Sequence, residues 1–174
     1  WTRSGWGGTQ YPTLLYFTVD SANASVSQAV TGVTPGAKVK FAWRFSSPNN
    51  STDHTTGNPV RLELWYGGTL YWAGESAPVG STSGPASTAS NGASCVSGCS
   101  ALPTSSSDRT VEIRLPPSIP RNGTLELRGR VLNPGTSSDD LNLRGPISIQ
   151  NTGICLAKTS LGSTGTFSYT TTGA

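Results

Sequence analysis

Three cysteines, one histidine and nine carboxylates are the residues of this 174-residue chain with the widest reach in acid–base, nucleophilic or metal chemistry. The histidine, His54, sits in Asp53-His54-Thr55-Thr56-Gly57, and serine is abundant, so a Ser–His–Asp site has the right residue types. The pattern does not support one. No G-x-S-x-G elbow is present, and neighbours on an extended segment point to opposite faces. Glycoside hydrolysis needs two carboxyl groups facing each other at a set separation. Asp20, Asp53, Glu63, Glu75, Asp108, Glu112, Glu126, Asp139 and Asp140 fall mostly in loops or at outward positions of alternating segments. No catalytic residue is assigned, and no enzyme is expected. A zinc site built on Cys95, Cys99 and His54 lacks a fourth ligand and the usual spacing, so no metal is expected and Cys95 and Cys99 are predicted to form a small disulfide. Cys155 is then left over.

The elements that must position these residues are strands. No segment of ten or more residues repeats apolar positions at helical spacing, whereas alternation at period two is widespread. Val39, Phe41, Trp43 and Phe45 share one face of 38–45, opposite Lys38, Lys40, Ala42 and Arg44. Val111, Ile113 and Leu115 alternate with Glu112 and Arg114. Leu125, Leu127 and Val131 alternate with Glu126, Arg128 and Arg130. Further strands are predicted over 14–19, 24–30, 61–66, 69–72, 147–150 and 166–171. Turn signals at Thr34-Pro35-Gly36, Gly67-Gly68, Arg121-Asn122-Gly123 and Asn133-Pro134-Gly135 separate most of them. Short antiparallel strands with apolar inward faces read as an all-β sandwich. Across the Gly67-Gly68 turn, a two-residue loop pairs Tyr66 with Thr69, Trp65 with Leu70, Leu64 with Tyr71 and Glu63 with Trp72. That register puts Trp65 and Trp72 on one face, where they form a candidate sugar platform. Trp1, Trp6 and Tyr11 are a second aromatic group.

Charged residues are 12% of the chain, methionine is absent, and the net charge is +3. The basic residues are spread singly, so nucleic acid is not an expected partner. No apolar run approaches the roughly 18 residues of a membrane span. A Ser/Thr/Gly-rich composition with paired cysteines and little lysine suits a secreted, extracellular or cell-surface protein. Residues 76–107, almost wholly Ser, Thr, Gly, Ala and Pro, read as a long solvated excursion pinned by the disulfide. Asn23, Asn49, Asn50 and Asn122 stand in glycosylation-acceptor triplets.

Two stretches carry a family resemblance. The run Ala24-Ser25-Val26-Ser27-Gln28-Ala29-Val30-Thr31-Gly32-Val33-Thr34-Pro35-Gly36, followed by Val39-Lys40-Phe41-Ala42-Trp43, resembles the opening motif of galactose-binding-like jelly-roll modules of secreted bacterial surface proteins. The stretch from Leu125 to Ile149, with Asn133, Asp139, Asp140 and Ile147-Ser148-Ile149, is similar to their closing motif. The resemblance implies a jelly-roll over 1–150. It also shows two departures: the family's first strand is missing, and the closing acidic pair of its calcium site is replaced by Arg144-Gly145. No cofactor is therefore expected. Residues 154–169 resemble the start of a prealbumin-like repeat, which makes 151–174 a linker and an extra strand.

Two functions compete. In the first, the chain is a non-catalytic subunit of a surface fibre or adhesin. Its strand Thr166, Phe167, Ser168, Tyr169, Thr170 and Thr171 fills the edge left by the missing first strand of a neighbouring copy, giving a head-to-tail homopolymer. In the alternative, it is a carbohydrate-binding module that meets cell-surface glycans through Trp65 and Trp72.

Overall fold

A computed structural model describes residues 2–4, 10–11, 14–18, 24–46, 60–75, 87–100, 109–132 and 140–152. The strands are β1 (Thr2–Ser4), β2 (Gln10–Tyr11), β3 (Leu14–Thr18), β4 (Ala24–Val30), β5 (Lys38–Ser46) and β6 (Val60–Tyr66). They continue as β7 (Thr69–Glu75), β8 (Thr88–Ala89), β9 (Ser94–Ser97), β10 (Arg109–Arg114), β11 (Gly123–Val131) and β12 (Asp140–Gln150). Two antiparallel sheets result, in the orders β1-β4-β11-β6-β7-β8 and β2-β3-β12-β5-β10-β9. Without the short outer strands β1, β2, β8 and β9, the orders are β4-β11-β6-β7 and β3-β12-β5-β10. The chain then changes sheet at every connection except the β6–β7 hairpin, which is the jelly-roll winding. The fold is an all-β antiparallel sandwich of jelly-roll type.

Period-two patterning builds the core between the sheets. Val39, Phe41 and Trp43 of β5, Val111 and Ile113 of β10, and Leu125 and Leu127 of β11 are all buried, as are Leu62, Leu64 and Tyr66 of β6 and Leu115 just beyond β10. Every inward position predicted from alternation is buried, apart from Phe45 and Val131, whose side chains lie outside the described residues.

The hairpin departs from the expected register. Gly67 and Gly68 have φ of 55° and 81°, which fits the left-handed turn that joins twisted strands. Tyr66 pairs with Thr69 and Trp65 with Leu70 as predicted, but Leu64 then faces Trp72 and Glu63 faces Ala73. Tyr71 is the extra residue of a β-bulge, and one inserted residue turns the rest of the strand over. Trp72 therefore faces inward with no exposed surface, and Tyr71 is buried beside it. Its ring meets Phe41 edge-on at 5.2 Å and Trp43 at 5.9 Å between centroids. Gly74 makes room: a Cβ there would stand 2.6 Å from the Trp72 ring. The indole N–H groups of Trp43 and Trp72 find no acceptor among the described residues. Each such group costs about 1–3 kcal/mol, comparable with what burying one large side chain contributes, so dense ring packing has to offset it.

Residues 87–100 of the excursion are not a free loop. β8 pairs with β7, β9 pairs with β10, and the turn at Asn91 (φ 52°) and Gly92 (φ 78°) carries the chain from the edge of one sheet to the edge of the other. The bulge anchors this crossing. The Leu70 carbonyl accepts from Ser90 Oγ at 3.0 Å and Asn91 Nδ2 at 2.7 Å, and the Tyr71 carbonyl accepts from Ser90 N at 3.0 Å.

The closing strand also differs from expectation. β12 begins at Asp140, which pairs with Ser46 and Thr18, so this acid sits in a strand and not in a solvated loop. Between Arg144 and Ser148 the ladder to β5 breaks, because Gly145-Pro146 interrupts it and proline has no N–H to give. β3, predicted over 14–19, lies beside β12, and β2 lies outside it.

Cys95 and Cys99 form the predicted disulfide, with Cα atoms 6.2 Å apart. It closes over a second bulge, in which Ser97 faces Glu112 and Cys95 faces Ile113, leaving Val96 unpaired and exposed. Gly98 (φ 76°) follows so close to the Thr110 carbonyl that no Cβ could be accommodated.

Two outcomes follow from this packing. Trp72→Ala should destabilise the fold by about 3–5 kcal/mol in chemical denaturation. Trp65→Ala, which removes a ring outside the core, should cost far less; equal losses would show that the bulge does not place Trp72 as described. Replacing Cys95 and Cys99 by serine should lower stability by about 2 kcal/mol at most, because the closed loop is short. The same variant should speed hydrogen exchange at Glu112–Arg114, and unchanged exchange there would show that the disulfide does not hold β9 on β10.

Candidate ligand-contact site

With Trp72 in the core, the pair Trp65 and Trp72 does not share a face. The bulge at Tyr71 separates them, and Trp65 alone remains on the outer surface of the first sheet, half-buried. It stands at the centre of a charged lattice supplied by the outward positions of β6, β7 and β11. Trp65 Nε1 donates to Glu63 Oε2 at 2.9 Å. Arg61 Nε donates to Glu63 Oε1 at 2.7 Å, and its Nη1 donates to Glu75 Oε1 at 2.7 Å. Arg130 approaches Glu63 at 3.6 Å. Across the strand pair, Arg128 donates to Glu126 Oε2 at 2.9 Å and lays its guanidinium 4.1 Å from the centre of the Trp65 ring.

The lattice follows from register. Arg61, Glu63 and Trp65 alternate with buried Leu62, Leu64 and Tyr66, so they rise on one side of β6. β11 sets Glu126 opposite Trp65, Arg128 opposite Glu63 and Arg130 opposite Arg61. β7 brings Glu75 opposite Arg61. Glu63 is the one charged residue buried among those described, at 8% exposure, and a carboxylate at that depth needs charged partners. Arg61 and Trp65 supply direct hydrogen bonds, and Arg130 adds field.

Titration behaviour follows the geometry. The Arg128 hydrogen bond holds the Glu126 carboxyl below its ordinary range against the opposing pull of burial, with further help from the Arg128 charge and from Ser25. The same bond raises Arg128. Burial, followed by the neighbouring Tyr71, raises the Tyr66 phenol, whose O–H donates to the Pro120 carbonyl at 3.0 Å.

Chemically, this face offers an aromatic ring flanked by carboxylates and guanidinium groups, and its charges are fully matched. Sequence reasoning found Trp65 but missed the lattice around it. The alternation Arg61-x-Glu63-x-Trp65 and Glu126-x-Arg128-x-Arg130 was visible, but which strand lay beside which was not. Among the described residues no three His, Cys, Asp or Glu side chains converge on a metal-sized site. His54, Cys155, Trp1, Trp6 and the strand Thr166–Thr171 lie outside the described residues, as do the side chains of Tyr11 and Arg144.

No family model matches the sequence, and no curated protein matches it. Among solved structures, the chain is similar to TmCBM61 in complex with beta-1,4-galactotriose, with 14% identity, 82% of this chain and 72% of that chain covered, and a TM-score of 0.43. It is also similar to the CBM36-1 domain of a multidomain xylanase from the hindgut metagenome of Trinervitermes trinervoides. There the identity is 13%, the cover 83% of this chain and 97% of that chain, and the TM-score 0.26.

The Glu126–Arg128 bond has a pH signature. Because the folded carboxyl titrates below the unfolded one, its contribution is complete above the ordinary carboxylate range and is lost as pH falls through the lowered folded value. Carboxyl NMR should show Glu126 titrating below an unperturbed glutamate, and Arg128→Ala should move the midpoint upward. An unmoved midpoint would remove Arg128 as the cause.

Proposed function

We propose that the chain is a non-catalytic carbohydrate-binding module that meets its ligand on the outer face of the first sheet, around Trp65. The observation that supports this reading is the setting of the ring: half-buried, outside the core, with Glu63, Glu126 and Arg128 converging on it. Sugar recognition needs an apolar surface for the C–H face of a pyranose, with polar groups placed to meet the hydroxyls around it. Glu63 and Glu126 each keep acceptor capacity beyond the bonds they make, since an ionised carboxylate offers about four lone-pair sites. Arg128 supplies N–H donors from its place over the ring, 4.1 Å from the centre. Because these groups already hold one another in place, binding orders little that was free, which lowers its entropic cost. A disulfide in the same domain suits an oxidising, extracellular setting.

The fibre reading rests on an open strand edge and on Thr166–Thr171, which lie outside the described residues; short strands line the sheet edges, and no observation among the described residues favours strand donation over glycan contact.

The test is a glycan-array screen of the wild-type chain, followed by titration calorimetry on the best neutral oligosaccharide. Trp65→Ala should weaken binding at least tenfold with an unchanged far-ultraviolet spectrum. Arg128→Ala should weaken it less, since the ring remains. Affinity within twofold of wild type in Trp65→Ala would overturn the proposed site.

A further inference from the structure

The second sheet has an outer face of different character, and its composition is invisible in the linear order of charges. Lys38 and Lys40 project outward from β5, and Glu112 and Arg114 from β10, because the residues between them are buried. Register arranges these side chains in two rows. In the first, Gln150 of β12, Lys38, Arg114 and Ser94 of β9 lie opposite one another; in the second, Ser148, Lys40, Glu112 and Ser97 do. Adjacent strands stand about 4.8 Å apart and alternate residues about 7 Å apart, so the rows form a compact grid.

The grid carries three cations against one carboxylate, whereas the outer face of the first sheet carries matched numbers of each. Glu112 bonds Lys38 at 3.0 Å. Lys40 and Arg114, both exposed, make no ion pair among the described residues. Lys38 and Arg114 sit directly opposite each other, a like-charge pairing that disfavours the folded sheet. Glu112 offsets Lys38 alone, so Lys40 and Arg114 remain as two neighbouring cations whose charge an anionic ligand can meet.

We infer that this face is a second binding site, for an anionic polysaccharide laid across β12, β5, β10 and β9. The cations take carboxylate or sulfate groups of the polymer. Ser94, Ser97, Ser148 and Gln150, which flank them, match its hydroxyls. Nucleic acid fits less well. A single strand needs aromatic stacking, and none of the grid residues is aromatic. A duplex presents one charge per about 1.7 Å and would meet Glu112 in the middle of the face. This inference stands independently of the Trp65 site, which lies on the other side of the sandwich.

The experiment measures binding of the full chain to polygalacturonate, dextran sulfate, neutral dextran and a DNA duplex of matched charge, at 50 and 300 mM salt (chosen to bracket roughly physiological screening). Wild type should bind at least one of the two anionic polysaccharides, more weakly at high salt, and should bind it at least tenfold more tightly than dextran or DNA. Whichever of the two binds tighter identifies carboxylate or sulfate as the favoured group. The double substitution Lys40→Ala and Arg114→Ala should lose at least tenfold in that affinity, and the charge-keeping pair Lys40→Arg and Arg114→Lys should retain it. Trp65→Ala should leave it unchanged, so failure of the Trp65 site and failure of this one are read separately. DNA bound as tightly as the polysaccharides, or a double-alanine variant within twofold of wild type, would overturn the inference.

Discussion

Trp72 packs against Phe41 and Trp43 between the two sheets, and much of the molecule is arranged around that contact. The ring enters the core because β7 gains one residue at Tyr71, and it fits because Gly74 has no side chain to oppose it. An unbulged ladder would have kept ideal hydrogen bonding and exposed a large apolar ring to water. The bulge gives up part of the ladder and buries the ring, which is the larger gain. At the same bulge the carbonyls of Leu70 and Tyr71 accept from Ser90 and Asn91, so the excursion is anchored where the core ring turns inward.

That anchoring explains how a segment rich in Ser, Thr and Gly becomes part of the sandwich. β8 and β9 carry few apolar groups and add little to the core. Their contribution is to cover the ladders of β7 and β10, which would otherwise be open to pairing with another chain. A disulfide, a bulge and the crowded Gly98 hold β9 in an irregular course, and an irregular edge is a poor template for further strands.

The two outer faces use similar residues to different ends. On the first, arginines and glutamates neutralise one another around Trp65, which yields a rigid, neutral surface with one ring in it. On the second, Lys40 and Arg114 are left unmatched, and the surface keeps a positive field. Both patterns arise from strands that alternate charged and apolar residues. The difference is set by which strands are neighbours: Glu63 and Glu75 stand within reach of the facing pair Arg61 and Arg130, whereas Glu112 alone stands among Lys38, Lys40 and Arg114.

The sequence by itself determined the all-β class, the approximate strands from β3 to β7 with β10 and β11, the inward residues of β5, β10 and β11, the tight hairpin and the cysteine pair. Those features rest on local chemistry: period-two alternation, glycine's freedom at positive φ, and two cysteines a few residues apart. Tertiary structure decided the rest. Alternation alone makes Trp72 a partner of Trp65, because a strand's faces alternate unless a bulge intervenes, and the bulge serves rings contributed by β5, far away in the chain. β8 and β9 lack apolar alternation, since edge strands are held by backbone pairing that leaves little trace in residue type, while in β12 the short alternation Leu141-x-Leu143 is cut off by Gly145-Pro146 before it spans the strand. The charged faces were equally hidden. Their sign depends on cross-strand neighbours, and neighbours are chosen by the winding of the whole sandwich, not by any stretch of sequence.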